Sequence, residues 1–446
     1  MSPVNRHYVL AAGGTGGHLI PAFALAAELE RRGHHVALVT DARGAAIPGK
    51  PASLTAHVLP AGRLEGKNPL GWVRGVQAIL EGRRMALRLF ESFEPSAVIG
   101  FGGYPALPTL LAANAAGIPS LIHEQNAVLG RVNRYLANRV NAIATAYRQV
   151  DRLSPKLAEK VHLVGNPVRA EVLALREAPF PPFTENGVLR VLVTGGSQGA
   201  RVLSHVVPDG LAMLQPALRT RLQVTQQCRP EDIEEVRARY SGHDIPAELG
   251  TYFEDMASRL ADCHLFIGRA GASTIAELTA VGRPAILVPL PIATDDHQAA
   301  NTREIVAAGG ARAIRQERFS AVELAKQIQA MAQRPDTLAT AAHAAWNCGY
   351  PNAVPDLADL VESFGGSPMM DVIRVAQGVG AAGQEAVAVG ARASMSRVQF
   401  RGRAGAPSWL RRLVRASLSR LPALFPRRGP LLLGMAKPLR DGGARG

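Results

Sequence analysis

Cysteine, aromatic residues and long apolar runs are all scarce in this 446-residue chain. Its three cysteines, Cys228, Cys263 and Cys348, are odd in number and far apart, which matches neither a disulfide framework nor a zinc site. No run of about 20 apolar residues is free of charges, so no helix is expected to span a bilayer. The N-terminus lacks the pattern of a secretion signal, because glycines interrupt its first apolar run. We therefore expect reducing, cytoplasmic surroundings.

Acidic residues are scarce as well, but only towards the C-terminus. The chain has a net charge of +14, yet residues from Gly365 onward hold 14 Lys and Arg against 3 Asp and Glu. The rest of the chain is nearly neutral, which argues against a nucleic-acid-binding body. A hydrophobic fraction of 47% excludes disorder for most of the length and fits a packed α/β protein.

Two glycine-rich turns lie about half a chain apart, at residues 13–18 and 195–200. Each follows an apolar β-like run and opens a helix-like segment, which is how a parallel sheet presents backbone N–H groups to an anion. Neither fits the Gly-Lys-Ser/Thr or Gly-x-Gly-x-x-Gly fingerprint, so nucleoside triphosphatase and dehydrogenase functions lose support. The alternative is that the glycines only let helices pack close to strands. Two turns in matching contexts favour two similar domains that face a shared phosphate-bearing ligand.

Short apolar runs alternate with helix-length segments over most of the chain, which predicts doubly wound parallel sheets. A proline-rich break at residues 178–187 separates two such patterns. The predicted strands are 8–12, 36–40, 97–100, 120–123, 141–146 and 161–164, followed by 188–194, 222–226, 264–267, 285–289 and 311–315. We expect a Rossmann-like domain over 1–170, a linker over 171–187, a second Rossmann-like domain over 188–345, a closing helix over 346–364, and a disordered or loosely helical basic tail over 365–446.

Two stretches combine apolar and basic residues at helical spacing, namely residues 70–90 and 409–421. Either suits the surface of an anionic membrane, where each basic side chain contributes about 1 kcal/mol. An ordinary packed helix with a solvated face explains the first stretch equally well.

Polar residues follow several predicted strands, at the sheet edge where open α/β sheets bind ligands. A diphosphate leaving group requires a metal, cationic side chains or helix N-termini to stabilise its developing charge. Asp295 and Asp296 stand as a single pair without nearby partners, which is more often a helix cap than a metal site.

Glu277 lies one turn inside a helix after a small-residue turn, and is suited to accept hydrogen bonds from ribose hydroxyls. Gln298 and Asn301 share a helix face and offer amides for sugar hydroxyls.

Seven motifs follow one another along the chain. They are residues 12–22 (AGGTGGHLIPA), 100–104 (GFGGY), 123–126 (HEQN), 165–169 (GNPVR), 195–200 (GGSQGA), 269–277 (RAGASTIAE) and 296–301 (DHQAAN). In this order, over residues 5–364, they resemble the motifs of the MurG family. That family comprises bacterial N-acetylglucosaminyltransferases that convert lipid I to lipid II in peptidoglycan synthesis.

The resemblance implies a GT-B fold, in which two Rossmann-like domains face a cleft. It implies that UDP-N-acetylglucosamine (UDP-GlcNAc) is held mainly by the C-terminal domain, and that the lipid I acceptor enters from the N-terminal, membrane-facing one. The implied reaction is an inverting transfer to the 4-hydroxyl of the muramyl sugar, without a cofactor or a required metal. The implied setting is the cytoplasmic face of the bacterial inner membrane. An anionic membrane surface is an expected partner, nucleic acid is not, and cell-wall or division complex proteins are candidate partners.

By motif position, the resemblance also assigns residues to the substrates. It places Thr15, Gly16 and Gly17 near the diphosphate, Ser197 near the phosphate, Asn126 and Gln298 near the donor sugar, Arg169 in the donor site, and Phe253, Ala272, Ser273, Thr274, Ile275, Ala276 and Glu277 at the uridine end.

The general base has two candidates. His18 ends the first glycine-rich turn, and imidazole titrates in a range suited to taking a proton from a hydroxyl. A histidine there can equally bind phosphate or cap the helix. Glu124 is the second candidate, although a carboxylate beside a strand end often only orients a neighbour.

Two other functions compete with the transferase. A UDP-GlcNAc 2-epimerase of similar two-domain architecture would need acid/base carboxylates in the cleft and no lipid-facing surface. A non-catalytic nucleic-acid-binding protein would depend on the basic tail, so that deletion of residues 365–446 would abolish its function.

Overall fold

The computed structural model of the chain describes residues 5–47, 49–60, 69–196, 199–291 and 293–365. Within these ranges the chain forms two parallel β-sheets flanked by helices, which confirms the predicted α/β class. The first sheet has seven strands in the order β3-β2-β1-β4-β5-β6-β7. They are β1 His7–Ala12, β2 His35–Thr40, β3 Thr55–Val58, β4 Ala97–Gly102, β5 Ser120–Glu124, β6 Ala142–Thr145 and β7 Val161–Leu163.

The second sheet has six strands in the order β10-β9-β8-β11-β12-β13 and repeats the winding of the first. In each sheet the first strand along the chain lies in the interior, and the strand order reverses beside it. Such a switch point opens a crevice at the carboxyl ends of the strands. The strands are β8 Leu189–Thr194, β9 Leu222–Gln227, β10 Ala247–Gly250, β11 Leu265–Gly268, β12 Ala285–Leu287 and β13 Ala311–Ala313.

Helices connect the strands on both faces of each sheet. They are α1 Gly16–Arg31, α2 Ala42–Ala45, α3 Pro69–Phe93, α4 Ala106–Ala116, α5 Arg131–Leu136, α6 Ala170–Leu173, α7 Arg201–Ala212, α8 Pro216–Arg219, α9 Ile233–Gly242, α10 Met256–Asp262, α11 Ala272–Val281, α12 His297–Asn301, α13 Arg303–Ala307, α14 Ala321–Ala332, α15 Pro335–Asn347 and α16 Ala353–Gly365. Short 3-10 turns occupy Pro155–Lys160, Thr294–Asp296 and Gln316–Arg318. We call each sheet with the helices packed on it a lobe.

The side chains of β1 alternate between two hydrophobic clusters, because successive residues of a strand point to opposite faces of the sheet. Tyr8 and Leu10 pack on one face with α1 and α16, whereas Val9 and Ala11 pack on the other with α3 and α4. Both faces are covered, which explains why the predicted strands are continuous apolar runs. Burial of a side chain such as Leu10, which is 0% exposed, contributes about 1.5–3 kcal/mol.

Two strands, β3 and β10, are missing from the sequence-based prediction. Both lie at an edge of their sheet, next to β2 and β9 respectively. Their sequences, TAHV and AELG, are four residues long and contain no continuous apolar run, and neither strand is fully buried. Hydrogen bonding to the neighbouring strand therefore defines them, and a local pattern does not show it.

The chain crosses between the lobes twice. After β7, Val168 and Val172 pack in the core of the second lobe together with residues of α11. After α15, which packs on the second lobe, helix α16 returns to the first and packs against α1. Residues 168–172 thus lie with the second lobe and α16 with the first, while the domain boundaries drawn from the sequence stay predictions.

The two crossings touch each other at Gly165 and Tyr350. A Cβ atom added to Gly165 would lie 2.3 Å from the Cβ of Tyr350, and the φ angle of Gly165 is +86°. Both facts require glycine, because only a residue without a side chain fits this contact and this backbone conformation.

No helix within the described ranges is long and apolar enough to cross a membrane. Apart from Gly365, the predicted basic tail lies outside the described residues, and so does the basic amphipathic stretch at 409–421.

Candidate active site

The carboxyl ends of the strands of both sheets face one cleft of about 2420 Å³. The two glycine-rich turns line it from opposite sides, through Gly14, Gly16 and Gly17 of the first lobe and Gly195, Gly196 and Gly199 of the second. A pocket for one small ligand usually occupies about 300–1,000 Å³. The cleft therefore has room for two substrates at once.

Three helices begin at this cleft, and none of their N-cap residues forms a side-chain cap. These residues are Thr15 of α1, Ala200 of α7 and Gly271 of α11. The first N–H groups of a helix have no partner inside it, so they remain available to a ligand. Each N-terminus stabilises a nearby anion by about 0.3–1 kcal/mol, and by up to about 2 kcal/mol when partly buried. This arrangement suits a ligand that carries phosphate groups.

Arg169 and Glu277 form a two-point ion pair at the side of the second lobe. Nε of Arg169 donates to Oε1 of Glu277 at 2.8 Å, and Nη2 donates to Oε2 at 3.2 Å. Burial lowers the pKa of the guanidinium, but the hydrogen bonds and charge of Glu277 and its acidic neighbours outweigh burial and raise the pKa overall. The ion pair with Arg169 holds the Glu277 carboxylate in place. The remaining lone pairs of this carboxylate can accept hydrogen bonds from hydroxyls.

Gln298 and Phe253 line the same part of the cleft. Oε1 of Gln298 accepts a hydrogen bond from the N–H of Leu290 at 3.0 Å, and no described residue accepts one from its amide NH₂ group, which is therefore available to a ligand. The ring of Phe253 lies beneath the guanidinium of Arg259, 4.4 Å from the ring centre. An oriented amide and a clamped aromatic ring suit a sugar hydroxyl and a nucleobase, respectively.

Glu124 ends β5 and is 2% exposed, and its carboxylate accepts hydrogen bonds from three residues. Oε1 accepts from the N–H of Asn126 at 3.1 Å and from its Nδ2 at 3.3 Å. Oε2 accepts from the N–H of Gly130 at 2.8 Å and from Nδ2 of Asn133 at 2.9 Å. Each carboxylate oxygen thus meets two donors, which is the usual capacity of its lone pairs. The geometry suits a carboxylate that shapes the loop after β5.

Asn301 connects this loop to the second lobe and is 0% exposed. Its Oδ1 accepts from the N–H of Ala127 at 2.8 Å, and its Nδ2 donates to Oδ1 of Asn126 at 3.1 Å and to the carbonyl of Ala270 at 3.2 Å. Both ends of the Asn126 amide therefore have partners within the protein, and Asn126 lines the cleft in a fixed orientation.

His18 lies in the first turn of α1, half-buried, and is joined by hydrogen bonds to two fully buried side chains. Its Nδ1 is 3.0 Å from Oε1 of Gln125. Nε2 of Gln125 is 3.0 Å from Nδ1 of His123, and Nε2 of His123 is 2.9 Å from the carbonyl of Gly165. Burial lowers the pKa of His123 to about 4, so this imidazole is neutral near pH 7.

The glycines of the GFGGY motif make room for this histidine. A Cβ atom on Gly102 would lie 3.2 Å from Cε1 of His18, and one on Gly103 would lie 2.7 Å from the carbonyl oxygen of Gly13. Both glycines have positive φ angles, +93° and +78°. The turn after β4 therefore lies directly against the turn after β1.

Most residues that the resemblance assigns to substrates meet at this cleft. It is lined by Thr15, Gly16, Gly17, His18, Glu124, Asn126, Arg169, Phe253, Ala272, Ser273, Thr274, Glu277 and Gln298. Ile275 and Ala276 do not line it, because both pack against the core of the second lobe. A helix with 3.6 residues per turn cannot present a continuous run of residues to one side. Ser197 lies outside the described residues.

The carboxylates of Asp295 and Asp296 are paired with arginines, which is not the arrangement of a metal site. Oδ2 of Asp295 accepts from Arg134 at 2.9 Å, and its Oδ1 lies 3.2 Å from Arg152. Arg315 donates to Asp296 at 2.7 Å. Among the described residues, no cluster of three or more His, Cys, Asp or Glu side chains could hold a metal ion. Asp295 instead joins the second lobe to two arginines of the first.

The sequence placed Gln125 at a strand end without a role, and it did not indicate Asn133 or Gly130 as parts of the site. Gln125 lies inside the HEQN motif, so the motif itself was a signal. Asn133 and Gly130 lie in no motif that we recognised, and only the folded loop brings them to Glu124.

Known proteins are similar to this chain over most of its length. A relative from Erythrobacter litoralis (strain HTCC2594) is 76% identical over 399 residues, which cover 90% of this chain and 100% of the relative. A relative from Novosphingobium aromaticivorans is 79% identical over 389 residues, which cover 87% of this chain and 100% of the relative. Both are named UDP-N-acetylglucosamine--N-acetylmuramyl-(pentapeptide) pyrophosphoryl-undecaprenol N-acetylglucosamine transferase. Both alignments cover more of the chain than residues 5–364, so the similarity continues beyond the motifs.

A solved structure is similar as well. The crystal structure of Acinetobacter baumannii MurG matches with a TM-score of 0.64 and 29% sequence identity, and the match covers 80% of this chain and 99% of that chain.

The two Rossmann-like lobes and their shared cleft define a glycosyltransferase of the GT-B class. The descriptions "Glycosyltransferase family 28 N-terminal domain" and "Glycosyltransferase family 28 C-terminal domain" match residues 8–145 and 190–361. The chain belongs to glycosyltransferase family 28 and, within it, to the MurG family.

Proposed function

We propose that the protein transfers N-acetylglucosamine from UDP-GlcNAc to the 4-hydroxyl of the N-acetylmuramyl sugar in lipid I, which yields lipid II and UDP. The observation that carries this proposal is the identity of 76% and 79% to two full-length relatives whose names state this activity. The cleft supports it, because it is large enough for two substrates and three uncapped helix N-termini border it.

The donor is proposed to bind on the side of the second lobe. Glu277, held by Arg169, would accept hydrogen bonds from the ribose hydroxyls, while Phe253 and residues 272–274 border the uridine. Gln298 would donate its free amide hydrogens to the sugar. The N-termini of α1 and α7, including Gly16 and Gly17, would receive the negative charge of the diphosphate.

His18 is the proposed general base. Its Nε2 would take the proton of the 4-hydroxyl while the hydroxyl oxygen bonds to C1 of the donor sugar and the bond between C1 and UDP breaks. Attack from the side opposite UDP inverts the configuration at C1. A positioned general base contributes roughly 10²–10⁴-fold to the rate of such a step.

Glu124 is the weaker candidate for this role. Its carboxylate is engaged by Asn126, Gly130 and Asn133, so no lone pair remains pointed at a substrate hydroxyl. We propose that it positions the loop after β5 instead.

The epimerase alternative is less well supported. That reaction needs free acid and base carboxylates beside the sugar, whereas Glu124 accepts hydrogen bonds from three residues and Glu277 is paired with Arg169. Incubation with UDP-GlcNAc alone separates the two functions, because an epimerase would form the 2-epimer of the nucleotide sugar without any acceptor.

We further propose that α3 rests on the cytoplasmic face of the inner membrane. Ala86 and Phe90 of this helix are buried against the first sheet, but Val76 and Leu80, one turn apart, are 46% and 47% exposed. Arg84 continues the same stripe, so apolar and basic groups lie side by side. In this proposal one face of α3 packs on the sheet as an ordinary helix does, and the other face contacts the membrane.

Sedimentation with vesicles tests this membrane proposal. The Val76→Ser, Leu80→Ser double variant should pellet less with vesicles that contain anionic lipid. Val322→Ser, at a residue 65% exposed on α14 of the second lobe, is the matched control and should pellet like the unaltered protein. Equal pelleting of all three proteins would contradict the proposal.

The transfer itself is tested by incubating the purified protein with UDP-GlcNAc and a lipid I analogue. We expect a disaccharide product and stoichiometric UDP, and a large loss of both with His18→Gln. Release of UDP without a disaccharide, or formation of a 2-epimer, would overturn the proposed function.

A further inference from the structure

We infer that Gln125 and His123 are positioning residues that hold the His18 imidazole in one tautomer, with its hydrogen on Nδ1 and the lone pair of Nε2 free for the substrate. The importance of this tautomer for catalysis rests on the proposed role of His18 as the base. The hydrogen bonds that fix the tautomer are independent of that role.

The pattern is anchored at the backbone carbonyl of Gly165, which can only accept a hydrogen bond. Nε2 of His123 lies 2.9 Å from this oxygen, so Nε2 carries a hydrogen and donates it. His123 is 0% exposed, and its pKa is lowered to about 4 by burial, so the ring is neutral and holds one hydrogen. Its Nδ1 is therefore an acceptor.

The side-chain amide of Gln125 is oriented by two acceptors. Its Nε2 lies 3.0 Å from Nδ1 of His123 and 3.0 Å from the backbone carbonyl of His123. An amide oxygen at this position would face two acceptors and form no hydrogen bond. The nitrogen must therefore lie here, and the oxygen must lie at the other end.

That oxygen lies 3.0 Å from Nδ1 of His18. An amide oxygen accepts and cannot donate, so Nδ1 of His18 must carry the hydrogen. In the neutral ring Nε2 is then unprotonated. Among the described residues, no side chain or backbone group forms a hydrogen bond with this nitrogen, and the residue lines the cleft.

The same hydrogen bonds suit the ring after it has accepted a proton on Nε2. The imidazolium still donates from Nδ1 to the Gln125 oxygen, and this bond becomes stronger because its donor is charged. No group in the chain of residues has to rotate or exchange a hydrogen during the reaction. Gly102 adds a second constraint, because it lies against the edge of the ring that contains Nδ1 and Cε1.

The tautomer is tested directly by nitrogen NMR of the protein with ¹⁵N-labelled histidine at about pH 8.5. The signals of His18 are assigned by their loss in His18→Gln. We expect a protonated Nδ1 and an unprotonated Nε2. A protonated Nε2 would overturn the inference, whether or not the protein has transferase activity.

Gln125→Leu removes the acceptor and keeps the approximate shape. In this variant the His18 ring should shift towards the other tautomer, and turnover should fall roughly 10- to 100-fold while the KM for UDP-GlcNAc changes little. Gln226→Leu is the matched control, because Gln226 is equally buried but bonds to Tyr240 in the second lobe. An unchanged tautomer in Gln125→Leu, or a loss of turnover no larger than in the control, would overturn the inference.

Discussion

Replacement of Glu124 by Gln distinguishes a positioning carboxylate from a general base. The two oxygens of Glu124 each accept two hydrogen bonds, at 3.1 and 3.3 Å for Oε1 and at 2.8 and 2.9 Å for Oε2. In Gln one oxygen becomes an NH₂ group, which then faces two donors. Hydrogen bonds to a charged acceptor contribute about 1.5–3 kcal/mol each, so losing two of them should lower the free energy of unfolding by about 3–6 kcal/mol.

Denaturant unfolding and steady-state kinetics measure the two effects side by side. We expect the variant to be less stable and to lose turnover, because Asn126 and the loop after β5 shift with the carboxylate. Glu304→Gln is the control: this half-buried carboxylate accepts one backbone hydrogen bond, from Arg148 at 2.9 Å, and its replacement should cost about 1 kcal/mol. If Glu124→Gln kept its unfolding free energy and its KM values but lost more than about 10³-fold in turnover, Glu124 would be the base and our reasoning wrong.

Arg169→Lys should raise the KM for UDP-GlcNAc by about tenfold with a smaller change in turnover, since lysine cannot form the two-point pair with the carboxylate beside it; an unchanged KM would contradict this. Gly102→Ala should lower turnover more than Gly309→Ala, because both glycines have positive φ (+93° and +86°) but only the first has a side chain within 4 Å of the added Cβ atom, and kinetics of both variants compares them. Burial lowers the pKa of His123 and of His264 from 6.5 to about 4, so the unfolded chain binds more protons than the folded chain between these two pH values. The free energy of unfolding should therefore fall as the pH drops from about 6.5 to about 4, by up to about 1.4 kcal/mol per pH unit for each histidine. Urea titrations measure this fall, which should be shallower in His264→Gln. Truncation after Phe364 should leave transfer to a short-chain acceptor largely intact while weakening sedimentation with anionic vesicles, and loss of the transfer would show that the tail is needed for the chemistry.

The fold was largely predictable from the sequence, because strands buried on both faces appear as short apolar runs. The predicted runs at 8–12 and 188–194 match β1 and β8 to within one residue, and these are the strands beside which the order of each sheet reverses. The edge strands β3 and β10 were not predictable, since their stability comes from a neighbour that is distant in sequence.

The site was predictable to the level of motifs but not of single contacts. Motif order brought Thr15, Arg169 and Glu277 to one cleft, whereas the assignment of Ile275 and Ala276 treated a helix as if all its residues faced one side. Partners such as Asn133 depend on how a loop folds back on its strand. No pattern in the linear sequence indicates that Asn133 lies within hydrogen-bond distance of Glu124.

The contact between Gly165 and Tyr350 has a mechanical consequence. Two bodies joined by adjacent connections can swing about one pivot, but they cannot slide past each other or twist freely. We therefore expect an opening of the two lobes to displace residues least near Gly165 and most at the rim of the cleft farthest from it. The hydrogen bond from His123 to the Gly165 carbonyl connects the residues that support His18 to this contact between the two crossings.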